Sequence, residues 1–134
     1  MEYEEILHQL AKEGIRYLTV GGYGMILSGY VRSTFDLDLL IDLEENNLRR
    51  AVDFLERRGY QPRVPVGLRE VLDPEKRRLW REEKGMVAFM LHLPENPLVK
   101  VDLLIYSGVD FNEAYDRKQV IKGNEGEIHV ASIR

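Results

Sequence analysis

Two aspartates, Asp36 and Asp38, stand two residues apart in the otherwise apolar run Phe35–Ile41. Residues two apart in a β-strand project from the same face, so both carboxylates are expected side by side. Like charges at that spacing destabilise each other unless a cation neutralises them. Mg²⁺ is bound in proteins through one or two carboxylates together with phosphate oxygens. The pair therefore indicates a magnesium site, although a solvated strand end would also place two carboxylates in this way.

A third carboxylate, Asp102, lies inside the second apolar run Val99–Ile105. An acidic residue in mid-strand is disfavoured unless it has a partner. If the two strands are neighbours, Asp102 converges on Asp36 and Asp38. Three converging carboxylates hold two metal ions, an arrangement suited to in-line phosphoryl or nucleotidyl transfer. The alternative is that Asp102 pairs with Lys100 on one face of a strand at the edge of the sheet.

Two glycines, Gly21 and Gly22, follow a predicted strand over 17–20 and precede a short predicted helix. Glycine allows the backbone to approach a ligand closely, and a helix N-terminus presents free N–H groups to a phosphate. A tight turn without a ligand is the alternative explanation of the two glycines.

Arg32 and Thr34 precede Asp36 and Asp38 at intervals of two residues, so in an extended chain all four side chains would project from the same face. The Arg32 guanidinium is suited to bidentate pairing with a phosphate, or to neutralising the carboxylates. The Thr34 hydroxyl is suited to donating to a phosphate, or to a turn.

Taken together, Gly21-Gly22, the run Arg32-x-Thr34-x-Asp36-Leu37-Asp38 and the later Asp102 resemble the nucleotidyltransferase superfamily. The similarity is to the DNA polymerase beta-like catalytic core, and within it to small prokaryotic nucleotidyltransferases of the toxin–antitoxin-associated type. The resemblance implies an enzyme that moves a nucleotidyl group from a Mg²⁺-bound nucleoside triphosphate to a hydroxyl or phosphate acceptor.

The resemblance also implies roles for individual residues. Gly21, Gly22, Arg32 and Thr34 would bind the nucleotide. The catalytic and metal-binding residues would be Asp36, Asp38 and Asp102, holding two Mg²⁺ ions, with Asp102 also helping to deprotonate the acceptor. Many related chains carry serine at the position of Gly22. Related chains also tend to continue into helices that complete the acceptor side, so this chain is expected either to need a partner protein that supplies that side or to be incomplete.

The elements that must position these residues follow from hydrophobic periodicity and turn residues. We predict helices over 3–13, 23–27, 44–58, 75–84 and 110–118, and strands over 17–20, 35–41, 86–93, 99–106, 119–122 and 127–131. Asp42 and Glu45 have the spacing of a capping box for helix 44–58. Asp73 and Pro74 are typical of a helix start. The order predicts a single α/β (α+β) domain over residues 1–134, a mixed sheet flanked by helices.

The composition excludes several classes of site. The chain has no cysteine, which excludes disulfides, thiolate zinc sites, iron–sulfur clusters and a cysteine nucleophile. No apolar run approaches the roughly 18 residues of a membrane span, and the N-terminus is acidic. We therefore expect a cytoplasmic protein without a membrane partner. His8, His92 and His129 lack zinc spacing and are expected in packing or at the surface.

The basic side chains are concentrated in residues 49–84, which hold 11 of the 19 Lys and Arg residues. Such a segment contacts an RNA acceptor or a triphosphate, or it forms solvated helix faces with interleaved glutamates. The acceptor stays open between RNA, protein and a small molecule. Two other functions also stay open: a catalytically weak nucleotide-binding or antitoxin-like module that holds a partner, and an RNA-binding protein.

Overall fold

The computed structural model describes residues 2–20, 36–105, 110–123 and 126–132. Within these ranges the helices are α1 (Glu2–Lys12), α2 (Glu45–Arg57), α3 (Pro74–Lys84) and α4 (Phe111–Asp116). The strands are β1 (Tyr17–Val20), β2 (Asp36–Ile41), β3 (Gln61–Pro62), β4 (Ala88–Leu93), β5 (Asn96–Leu104), β6 (Gln119–Lys122) and β7 (Glu127–Val130). The predicted α/β domain with a mixed sheet is confirmed.

All seven described strands belong to one sheet, in the order β3-β4-β5-β2-β1-β7-β6. β2 runs parallel to β5, and β1 runs parallel to β7, whereas the other neighbours are antiparallel. The strand that carries Asp102 is thus the direct neighbour of the strand that carries Asp36 and Asp38, as expected. Because β5 lies between β2 and β4, the alternative that Asp102 sits at a sheet edge is wrong.

One face of the sheet forms the hydrophobic core. Alternate residues of the three central strands are fully or almost fully buried there, namely Leu37, Leu39, Phe89, Leu91, Val101 and Leu103. They share one cluster with the apolar faces of α1 and α2, including Leu7, Leu10, Val52 and Leu55. Each fully buried side chain of this kind stabilises the fold by about 1.5–3 kcal/mol. The intervening residues of the same strands, including all three aspartates, are therefore turned to the opposite face.

The capping box predicted for Asp42 and Glu45 at the start of α2 is wrong. Glu44 is the N-cap, and its carboxylate accepts hydrogen bonds from the Asn46 and Asn47 N–H groups. The Asn47 amide donates to the carbonyl oxygen of Asp42 at 2.9 Å, so the chain runs two residues past Asp42 before the helix can begin. Asp42 instead accepts from the Glu44 N–H and pairs with Arg16.

The remaining boundaries agree closely with the prediction, with two departures. Asp73 caps α3 and Pro74 is its first residue, as expected. β5 begins at Asn96 rather than at residue 99, because the turn after β4 is only two residues long. The segment 60–73, for which no helix or strand is predicted, contains β3 and a 3₁₀ helix over Leu68–Leu72.

The predicted helix 23–27 lies outside the described residues. None of the helices in the described ranges has the length and apolar character needed to cross a membrane.

A buried tyrosine hydroxyl joins three elements of the core. Tyr17 donates to the Leu7 carbonyl at 2.8 Å and accepts from the His129 N–H at 3.0 Å. We expect Tyr17→Phe to lower the free energy of unfolding by about 1–3 kcal/mol, because the buried His129 N–H is left without its acceptor. Urea unfolding monitored by circular dichroism measures the loss. Tyr115→Phe, which removes one 3.4 Å contact with His129, is the matched control and should cost less than half as much; equal losses would contradict this account.

Candidate active site

Asp38 and Asp102 lie directly opposite each other on the neighbouring parallel strands β2 and β5. Partners in register project from the same face of a sheet, so the two carboxylates are adjacent. Asp36 lies on this face as well, two residues before Asp38, and its own partner in register is Lys100. The structure therefore brings Asp38 and Asp102 together and places Asp36 one strand repeat away, about 7 Å along β2.

The predicted nucleotide-binding residues Gly21, Gly22, Arg32 and Thr34 lie outside the described residues. The last residue of β1, Val20, is described, and it lies opposite Asp38 in the antiparallel pairing of β1 with β2. The chain thus reaches Gly21 from the strand next to the carboxylates.

Burial and mutual repulsion make the ionised form of the carboxylate pair unfavourable. Burial, followed by the charges of Asp38 and Asp36, raises the pKa of Asp102 to about 6, and Arg63 partly opposes the shift. Burial also raises the pKa of Asp38, where a hydrogen bond with Asp102 works in the opposite direction. Asp102 Oδ1 is buried and has no hydrogen-bond partner. A bound cation would neutralise this repulsion, and that oxygen could coordinate it.

Across residues 2–20, 36–105, 110–123 and 126–132, no group of three or more His, Cys, Asp or Glu side chains is arranged to hold a metal ion. The adjacent pair is Asp38 and Asp102. One or two carboxylates are the number through which proteins bind Mg²⁺ when phosphate and water complete its shell. The site with three carboxylates and two ions stays a prediction.

The face that bears the aspartates, here called the carboxylate face, extends over β4 to the end of β3. Asp102 lies opposite Met90, and Lys100 lies opposite His92. The Arg63 N–H donates to the Met90 carbonyl at 2.9 Å, which continues the β3–β4 pairing by one residue and places Arg63 opposite Met90. The order across this row of the sheet is therefore Val20, Asp38, Asp102, Met90, Arg63.

Analysis of the sequence missed Tyr3 as a neighbour of this site. Its hydroxyl donates to the Lys100 carbonyl and accepts from the Lys100 N–H, both at 3.0 Å. Burial raises the pKa of Tyr3, and the charges of the three aspartates add to the shift. The hydroxyl thus fixes the backbone of β5 two residues before Asp102. In the sequence, Tyr3 occupies an apolar position of a predicted helix. Its contact with Lys100 depends on how α1 packs against β5, which the sequence pattern does not show.

Most described cations of the basic segment have partners close to them. Six of them form ion pairs with carboxylates, namely Arg49, Arg57, Arg58, Arg69, Lys76 and Arg78. Arg50 and Arg77 donate to backbone carbonyl oxygens of Glu13 and Val71. Trp80 stacks on Phe89 with ring centroids 5.4 Å apart, as expected of a packed side chain. These contacts are those of solvated helix faces with interleaved glutamates.

A search against protein-family models and against curated proteins finds no match to this chain. The resemblance to nucleotidyltransferases therefore depends on the motif residues themselves.

The raised pKa of Asp102 predicts a dependence of stability on pH. The folded value of about 6 exceeds the ordinary value of 3.8, so the folded state binds more protons than the unfolded state between these values. The contribution of Asp102 to stability is therefore fully present below about pH 4 and is lost as the pH rises through 6. We expect Asp102→Asn to gain about 1–2 kcal/mol relative to the wild type between pH 4 and pH 8, a figure reduced for solvent screening of a partly exposed group.

Urea unfolding at several pH values measures this difference. Asp116→Asn, at an exposed aspartate of α4, is the matched control and should follow the wild-type curve. Parallel curves for Asp102→Asn and the wild type would show that the folded state does not perturb Asp102.

Proposed function

We propose that the chain is a Mg²⁺-dependent nucleotidyltransferase that moves a nucleotidyl group from a nucleoside triphosphate to a hydroxyl or phosphate acceptor. The observation that carries the proposal is the placement of Asp38 opposite Asp102 on adjacent parallel strands. The sequence order Gly21-Gly22, Asp36, Asp38, Asp102 resembles the motif of that superfamily, and the fold makes Asp38 and Asp102, which lie far apart in sequence, neighbours.

The donor set fits Mg²⁺. Asp38 and Asp102 supply adjacent carboxylates, and the buried Asp102 Oδ1 lacks a partner. These two residues would hold the metal, with Asp36 next to them on the same face. When bound, the ion supplies charge neutralisation and Lewis-acid activation of the phosphate that is attacked.

The two carboxylates differ in their surroundings, which suggests different roles. Asp38 lies next to Val20, the residue that precedes Gly21 in the chain. Gly21, Gly22, Arg32 and Thr34 would bind the triphosphate. Asp102 lies next to β4, on the side away from β1. The resemblance gives Asp102 the further role of helping to deprotonate the acceptor hydroxyl. The nucleotide is thus assigned to the β1–β2 side and the acceptor to the β5–β4 side.

The first test removes each carboxylate charge. We expect Asp38→Asn and Asp102→Asn each to lower the rate of pyrophosphate release from Mg²⁺-ATP by about 100-fold or more, the scale of losing one preorganised charged group at a reacting centre. The assay uses labelled triphosphate with RNA, protein and small-molecule acceptors. Asp116→Asn is the control that should keep the wild-type rate.

Two results would contradict the proposed activity. Wild-type rates in both Asn variants would exclude the metal assignment. Binding of Mg²⁺-ATP without release of pyrophosphate from ATP in the presence of any of the acceptors would indicate instead a module that binds nucleotide and holds a partner.

A second test follows the metal without turnover. Because the ion binds only the folded site, Mg²⁺ at about 100 times its Kd should stabilise the wild-type protein by about 2.7 kcal/mol. Thermal unfolding with and without Mg²⁺ measures the gain, and a chelator should reverse it. The gain should be absent from Asp38→Asn, in which the charge of the pair is halved; an equal gain in that variant would place the metal elsewhere.

A further inference from the structure

The described sheet has two edges, and they differ in length. At one edge, β3 has two residues. At the other edge, β6 has four residues without a proline, and among the described strands it pairs only with β7. β6 lies three strands away from β2 in the sheet order. The outer side of this strand, here called the β6 edge, is therefore a surface separate from the candidate site.

The hydrogen-bond pattern of the hairpin between β6 and β7 shows which backbone groups are used inside the sheet. The Gly123 N–H donates to the Gly126 carbonyl at 2.7 Å, so these two residues form a hydrogen-bonded pair. Hydrogen-bonded and non-hydrogen-bonded pairs alternate along two antiparallel strands. The next hydrogen-bonded pair is therefore Ile121 with Ile128, two residues further along.

Val120 and Lys122 belong to the intervening pairs, so their N–H and C=O groups point away from β7 toward the β6 edge. His129, the partner of Val120 in register, turns its N–H to the opposite side and donates to the Tyr17 hydroxyl at 3.0 Å, which agrees with this alternation. Within the described part of the chain, no hydrogen bond engages these outward groups of Val120 and Lys122. Two donors and two acceptors thus stand in a row, with the spacing that one further strand needs.

The side chains along the β6 edge are basic and apolar. Val120 is 46% exposed. Lys118 and Lys122 lie two residues before and two residues after it. Residues 117–122 hold three basic residues and no acidic one, in a chain whose net charge is −4. Neither lysine forms an ion pair with a carboxylate of the described residues, including Glu127, which lies opposite Lys122.

We propose that the β6 edge binds an extended, acidic segment of another protein, which adds to the sheet as an antiparallel strand. The outward backbone groups of Val120 and Lys122 supply the main-chain hydrogen bonds, as in other cases of strand addition. Charge complementarity selects the occupant. Carboxylates two residues before and after an apolar residue face Lys122 and Lys118, while the apolar residue packs on Val120.

A second copy of this chain is a poorer occupant of the β6 edge. It would bring the basic residues of both copies together, and lysines at a sheet edge oppose strand pairing between identical chains. An acidic strand neutralises the same charges instead. The inference does not depend on the proposed function, because it uses no residue of the candidate site.

A synthetic peptide tests the docking without an assay of catalysis. The probe is fluorescein-labelled Thr-Glu-Thr-Val-Thr-Glu-Thr, titrated with the full chain at low salt and followed by anisotropy. We expect it to bind about tenfold more tightly than the same peptide with lysine in place of glutamate, because two attractive charge pairs become repulsive. N-methylation of the peptide valine removes one donor to β6 and should weaken binding by about two- to tenfold.

A substitution in the strand tests the same hydrogen bonds from the other side. Val120→Pro removes an N–H that points to the β6 edge and that the pairing with β7 does not use. We expect it to weaken binding of the acidic peptide by about two- to tenfold. Val120→Thr, the matched control, keeps the N–H and the preference for a strand, and should retain most of the affinity. Circular dichroism checks that each variant is folded, and the N-methylated peptide gives the same test on the unchanged protein.

Hydrogen exchange of the isotope-labelled chain locates the bound peptide. Saturating peptide should slow the exchange of the Val120 and Lys122 amides several-fold, whereas the Ile121 amide, already bonded to Ile128, is the internal reference. Absence of binding at low salt, binding without this protection, or equal binding of the acidic and the lysine peptide would overturn the proposal. Protection that appears without peptide and grows with protein concentration would also overturn it, and would show that a second copy pairs at the β6 edge.

Discussion

The candidate site depends on one register, that of β2 against β5. Pairing these parallel strands places Asp38 opposite Asp102 on one face and Leu39 opposite Leu103 on the other. A slip of one residue would turn the aspartates into the core and the leucines towards water. The burial that stabilises the sheet therefore also keeps the carboxylates together, against their repulsion. The packing of the leucines on one face therefore fixes the positions of the carboxylates on the other.

Helix α1 adds a second restraint to the same strand. The Tyr3 hydroxyl satisfies both backbone polar groups of Lys100, two residues from Asp102. Ile6, Leu7 and Leu10, on the same helix, are fully buried in the core. Movement of α1 would therefore shift β5 and change the distance between the two carboxylates. The helix is a structural support of the candidate site although none of its residues belongs to the pair of carboxylates.

Local patterns predicted the elements well, because apolar periodicity and turn residues are written in consecutive positions. The convergence of Asp102 on Asp38 was also foreseen, because an acid in an apolar strand needs a partner. The positions of Arg63 and Met90 could not be foreseen, since they depend on how β3 and β4 pair. The prediction of the α2 cap was wrong for a similar reason. Hydrogen bonds from the Asn47 amide to backbone carbonyl oxygens before the helix decide where α2 begins. The roles of Gly21, Gly22, Arg32 and Thr34 stay predictions.

Pro62 lies in β3, one of the two edge strands of the described sheet. A proline has no backbone N–H, and a strand of two residues offers little template for another chain. Strand-to-strand association with a second molecule is therefore disfavoured at this border. The protein can expose Met90 beside it with a lower risk of forming intermolecular sheets. The carboxylate face is in this way protected from permanent occupation by a neighbouring copy at this border.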